Sequence, residues 1–149
     1  MSTVIADFVP GRRVAVVRAR LLWSELGTKL IPLLDRVYVA VRAGDVVQTG
    51  QNVFIYSDRS KDGVTVEAGV EVAAPFGPVG DVEYAETPAG EAAFARHVGP
   101  YSELGPTHEA IIEWCAAHGR QRTGVYWEVY GDWVEDASKL ETDVFYALR

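Results

Sequence analysis

The chain has 149 residues, 48% hydrophobic and 23% charged, with no low-complexity tract, which bounds it to a single domain of residues 1–149 or two small halves sharing one core. The net charge of -7 argues against nucleic acid or membrane as a partner, since both need clustered positive charge, and is compatible with cationic ligands. One cysteine, Cys115, excludes an intrachain disulfide and a cysteine-based zinc site; with no signal-like or membrane-length apolar run, the expectation is a soluble cytoplasmic protein.

In chain order, a strand is expected at about 12–20, then a helix at about 24–42. Leu26, Leu30, Leu33, Leu34 and Val37 follow the spacing of one buried helix face. Ser24 is the expected N-cap and Gly44 the expected C′ residue, while Pro32 either starts the regular helix or kinks it. Strands follow at about 52–57 and 64–73, and in the second Val64, Val66, Val70 and Val72 alternate with polar residues. A joining segment at 76–88 holds a candidate extra strand at 81–86. The pattern then returns: a strand at 91–98, a helix at 102–118 capped by Ser102 and ended by Gly119, and strands at 125–130 and 140–148.

The return is an internal repeat. Trp23-Ser24-Glu25-Leu26-Gly27 recurs 78 residues later as Tyr101-Ser102-Glu103-Leu104-Gly105, and the same shift pairs Arg18 with Arg96 and Leu30 with His108. Past the helices the shift becomes 74, pairing Tyr56 with Tyr130, Phe54 with Glu128 and Glu67 with Glu141. The expected fold is α+β. Strand–helix–strand–strand units at about 1–75 and 79–149 form one curved antiparallel sheet, with two helices on one face and a groove near a pseudo-twofold axis, on the opposite face.

The stretch 125–132 carries the chemistry. Alternation puts Tyr126, Glu128 and Tyr130 on one face and Val125, Trp127 and Val129 on the other. A charged glutamate is a poor strand residue and is costly to bury alone. Either this face is wet and Glu128 meets a cross-strand Arg or Lys, or the carboxylate anchors a ligand in an aromatic pocket. Phe54 and Tyr56 of the first half belong either to that pocket or to packed core. A partly buried Glu128 without a partner is expected to have a raised pKa. The histidines with Cys115 make no metal set; His108 falls on the helix stripe and reads as a core or boundary histidine. No phosphate loop is present, and neither metal nor cofactor is implied.

The run Ala95-Arg96-His97-Val98-Gly99-Pro100-Tyr101, with Trp127-Glu128-Val129-Tyr130-Gly131-Asp132 and Glu141-Thr142-Asp143-Val144, resembles the GyrI-like small-molecule-binding domain, the effector-binding domain of AraC- and MerR-type regulators. The resemblance spans essentially the whole chain. It implies an aromatic-lined groove for hydrophobic, often cationic, compounds, as in multidrug binding, with Glu128 contacting the positive charge and Tyr130 beside it. Trp23, Tyr101, Trp127 and Trp133 are further pocket candidates whose roles the motif does not fix. No basic helix-turn-helix stretch accompanies the domain, so a stand-alone member without DNA binding is expected.

Three functions compete: a binding module for hydrophobic, cationic or aromatic small molecules; a hydrolase of electrophilic molecules, with Glu128 as general base assisted by Tyr130 or Tyr126; and a protein-interaction inhibitor such as a gyrase inhibitor. The sequence leaves the oligomeric state open, a dimer included.

Overall fold

A computed structural model describes residues 3–149. Its strands are β1 (Ile5–Val9), β2 (Arg13–Leu22), β3 (Asn52–Ser57), β4 (Gly63–Glu71), β5 (Glu83–Glu86), β6 (Gly90–Val98), β7 (Arg122–Tyr130) and β8 (Glu141–Leu148). Helix α1 (Leu26–Arg42) lies between β2 and β3, and α2 (Leu104–Ala117) between β6 and β7. All eight strands form one antiparallel sheet in the order β1-β6-β8-β7-β3-β4-β2-β5. The class is α+β, with a curved sheet and two helices.

Each half is therefore strand–strand–helix–strand–strand: β5 is the candidate extra strand at 81–86, while β1 was not expected. The leading strands are exchanged. β1 pairs with β6 of the second half, and β5 pairs with β2 of the first. Each closes an edge the other half leaves open and ties the halves together.

The halves meet at β3 and β7, where Phe54 lies directly opposite Glu128 and Tyr56 opposite Tyr126. Phe54 and Glu128 are also partners in the sequence repeat, so the pseudo-twofold axis passes between them. Further out, the repeat slips. The register sets Ile55 against Glu67 but Val129 against Asp143. The counterpart of Glu67 is thus Asp143 rather than Glu141, and the ion pairs agree: Arg18 with Glu67 at 3.2 Å, Arg96 with Asp143 at 2.8 Å. The loop before β8 has absorbed two extra residues.

Both helices cover one sheet face. Leu33, Leu34 and Val37 of α1 and Ile111 and Cys115 of α2 share a core with Val66 and Val144. The other face holds a second apolar cluster, with Val16, Val53, Ile55, Trp127 and Phe145 packed across neighbouring strands. Trp127 is 1% exposed, with its ring stacked on Phe145 at 5.2 Å.

The helix starts depart from expectation. Ser24 and Ser102 sit inside single 3₁₀ turns, Trp23–Glu25 and Tyr101–Glu103, and cap nothing. Glu25 takes that role for the first, accepting a bond from the Leu22 amide at 2.8 Å. Pro32 neither begins α1 nor ends it; the helix starts six residues earlier and runs through it. Gly44 and Gly119 have φ of 80° and 63°, the left-handed C′ geometry expected.

Candidate functional site

The site begins with a pleat. On β7, Tyr126, Glu128 and Tyr130 face the helices, while Trp127 faces away into the second apolar cluster. The groove therefore lies on the helix-bearing face, not the opposite one. Leu26 and Leu30 on the α1 stripe and His108 on the α2 stripe are only half-buried, although Leu104, one turn before His108, is covered. Trp127 is thereby removed from the set of pocket residues.

Glu128 is 5% exposed and is not alone. Its Oε1 accepts from the Tyr56 hydroxyl at 2.9 Å and the Tyr130 hydroxyl at 3.0 Å. Its Oε2 lies 2.7 Å from His108 Nε2, and His108 Nδ1 lies 2.6 Å from the Tyr146 hydroxyl. An ionised carboxylate only accepts, so Nε2 carries the proton donated to Oε2; in the neutral ring Nδ1 then accepts from Tyr146. The wet-face reading of Glu128 does not hold, nor does the expectation that it lacks a partner. Its partners are a histidine and two tyrosines, not a cross-strand Arg or Lys, and it is not an unpartnered carboxylate. Three of its roughly four acceptor positions are filled.

Around it stands a ladder of rings. Tyr56, Tyr126 and Tyr146 occupy laterally aligned positions on β3, β7 and β8. Tyr56 stacks on Tyr126, and Tyr126 on Tyr146, each at 4.9 Å and within 12° of parallel. Arg59, from the β3–β4 loop, holds its guanidinium 5.7 Å from the Tyr126 ring and 4.9 Å from Trp23. Glu128, His108, Tyr126, Tyr146, Arg59 and Glu109 border a cavity of about 330 Å³.

A second, larger cavity of about 750 Å³ lies on the α1 side. Phe54, Tyr101, Tyr130 and Trp133 line it, so four of the aromatic residues proposed from sequence gather here rather than at Glu128. Tyr130 stands between the two. Its ring meets Phe54 and Tyr101 edge-on at 5.4 and 5.1 Å, while its hydroxyl reaches Glu128. Leu26 borders both cavities.

His108 and Tyr146 are the residues sequence reasoning missed. The signal for His108 lay in the repeat, which sets Leu30 at its position: a titratable group replacing a leucine on a half-covered stripe.

Burial, and then the charge of Glu128, pushes the Tyr56 and Tyr130 hydroxyls well above their usual range. Burial also raises Tyr146 and Tyr126. These tyrosines stay protonated donors at neutral pH. The folded state holds their protons where the unfolded chain, titrating near pH 10, has lost them. Stability is thus fully present below about pH 10 and falls as pH rises beyond it, by up to about 1.4 kcal/mol per pH unit for each group. Urea unfolding at pH 9, 10 and 11 should show this steep alkaline loss, and Tyr56→Phe should reduce the slope.

The family scan matches residues 7–149 to the GyrI-like small-molecule-binding domain. The chain belongs to that family. The EcmrR C-terminal domain superposes with a TM-score of 0.81 at 20% identity, covering 100% of this chain and 98% of that one. SAV2435 bound to tetraphenylphosphonium superposes with a TM-score of 0.73 at 7% identity, covering 99% and 94%. A hydrolase from Listeria innocua gives 0.60 at 13% identity, covering 98% and 91%. A search of curated proteins finds no match. At these identities the likeness is one of fold, and this GyrI-like chain's own site is argued from its residues. Among the described residues no cluster suits a metal ion, and no helix is long and apolar enough to cross a membrane.

Proposed function

We propose that this GyrI-like domain binds hydrophobic cations, the ring system of the guest resting on the tyrosine ladder and its positive charge near Glu128. The observation that carries this reading is a buried carboxylate opening into a cavity walled by stacked tyrosines, with its partners hydrogen-bond donors rather than an Arg or Lys. Hydrogen bonds from tyrosines hold the anion without neutralising it, so a cation still gains from approaching. That SAV2435 was solved with tetraphenylphosphonium supports this choice of probe.

Titration with tetraphenylphosphonium followed by tryptophan fluorescence, with mass spectrometry of the recovered compound, tests the reading. Saturable binding with the compound returned intact is expected. Silence across a panel of lipophilic cations would refute it.

Arg59 makes the reading more specific. Its guanidinium already lies over Tyr126, where a guest cation is placed. A guest must displace it and meets its like charge while doing so. Arg59→Gln is therefore expected to raise tetraphenylphosphonium affinity by about 3- to 10-fold. Calorimetry checks this; a weaker complex would make Arg59 part of the wall instead.

One observation favours a second reading. Glu128, His108 and Tyr146 form a continuous hydrogen-bonded chain beside the cavity, the arrangement a general base needs to take a proton from water and pass it on. The hydrolase named among the similar structures fits this alternative. Time-dependent consumption of an electrophilic compound, abolished in Glu128→Gln, would establish it.

A further inference from the structure

We infer that the α1-side cavity is a second ligand site, independent of Glu128, that takes one neutral aromatic molecule carrying an N–H or O–H group. The repeat supplies the comparison that sets the ligand class. Each cavity lies between a helix start and the β3–β7 junction, and the 78- and 74-residue shifts carry one lining onto the other. Under those shifts His108 becomes Leu30, Glu109 becomes Ile31 and Glu128 becomes Phe54. Three of the smaller cavity's ionisable groups, His108, Glu109 and Glu128, are hydrocarbons in the larger, and the fourth, Arg59, is matched by the neutral Trp133.

Volume and exposure agree. About 750 Å³ is the size that holds one drug-sized molecule. Three large apolar side chains at its walls are left unusually open: Trp133 at 72%, Ile31 at 59% and Tyr101 at 38% exposure. Together they form an aromatic and aliphatic mouth that water solvates poorly. Polar groups gather at one end. Gln48 donates to the Tyr38 hydroxyl, Tyr38 bonds Asn52 Oδ1, and Gln51 Nε2 donates to Asp132 Oδ1 at 3.0 Å. Asp132 is the cavity's charged residue, and its carboxylate has acceptor positions left over. That end favours a donor and disfavours an anion. The interior, with no carboxylate like Glu128, gives a lipophilic cation no buried anchor.

Leu26 borders both cavities, and Tyr130, which lines the larger, donates to Glu128 of the smaller, so these two side chains form the partition. Tyr130 is held on one side by Phe54 and Tyr101 and on the other by the Glu128 carboxylate. With that wall in place, both cavities fill at once.

The test uses two probes on the whole chain: neutral N-phenyl-1-naphthylamine, whose fluorescence rises in apolar sites, and tetraphenylphosphonium. Saturable binding of one naphthylamine per chain is expected, with its midpoint within about twofold when tetraphenylphosphonium is saturating. Trp133→Ala, a change at an exposed position, should weaken the naphthylamine by at least about tenfold and leave tetraphenylphosphonium unaffected. Leu30→Glu should weaken the naphthylamine likewise, and Glu128→Gln should leave it unchanged. Competitive displacement of one probe by the other would overturn the inference, because the cavities would then be one site. Parent-like naphthylamine binding in both Trp133→Ala and Leu30→Glu would overturn it too, as would a dimer that buries Trp133 at the titration concentration. Naphthylamine binding that depends on Trp133, in a chain that ignores every cation, would uphold this inference while refuting the cation site.

Discussion

Glu128→Gln is expected to lower the affinity for tetraphenylphosphonium by about 10- to 100-fold, or about 1.4–2.8 kcal/mol. The substitution keeps the shape and removes the charge. Glu128 is 5% exposed, so its field is little screened by water. A unit charge about 4 Å away attracts a cation by ~4 kcal/mol at an effective dielectric constant near 20, and the cost of desolvating the guest leaves part of that as net gain. The amide can still accept from Tyr56 or Tyr130 through its oxygen, but its NH₂ group then faces the His108 donor, a mismatch the ionised carboxylate does not have. Calorimetry on parent and variant, with neutral triphenylphosphine oxide as control, separates the two effects. A charge effect weakens the cation alone; a collapsed pocket weakens both compounds.

The largest effect on stability is expected at the neighbouring residue, with no effect on binding. Trp127→Ala should cost about 3–5 kcal/mol. Its ring is 1% exposed, stacks on Phe145 at 5.2 Å and fills the centre of the second apolar cluster with Val53 and Val129. Nothing of it reaches Glu128's side of the sheet. At temperatures where the variant remains folded, tetraphenylphosphonium should bind within about twofold of the parent, as expected of sites without shared contacts. Thermal unfolding and titration of the same sample check both halves. A loss of binding as large as that of Glu128→Gln would contradict the face assignment.

Adjacent residues with opposite consequences show what was legible in the sequence. Strict alternation along 125–130 placed Tyr126, Glu128 and Tyr130 together and Trp127 opposite, because a pleat leaves no other arrangement. The helix stripes, the two C′ glycines and the extra strand near 81–86 were legible for similar local reasons. What was not legible depended on pairing between distant segments. β1 has an exposed, non-alternating sequence, Ile5-Ala6-Asp7-Phe8-Val9, and owes its strand form to β6 of the other half. The tyrosine ladder needs the register of three strands before Tyr146 stands beside Tyr126. His108 looked like a core position because its stripe is apolar, yet it is only half-buried and borders the cavity beside Glu128. Glu128 was rightly singled out as a carboxylate needing an explanation, but its partners come from β3, β7 and α2. No single stretch of the sequence contains them.

The central claim, that a cationic guest lies on the ladder beside Glu128, is tested most directly by tyrosine-ring NMR. The chain, labelled in its tyrosine rings and assigned by Tyr→Phe variants, is titrated with tetraphenylphosphonium. The account predicts that Tyr56, Tyr126 and Tyr146 shift together and saturably, driven by the ring currents of the guest, and that Glu128→Gln moves the midpoint of the response to about 10- to 100-fold higher concentration. Saturable binding seen by calorimetry while those three signals stay still would contradict it.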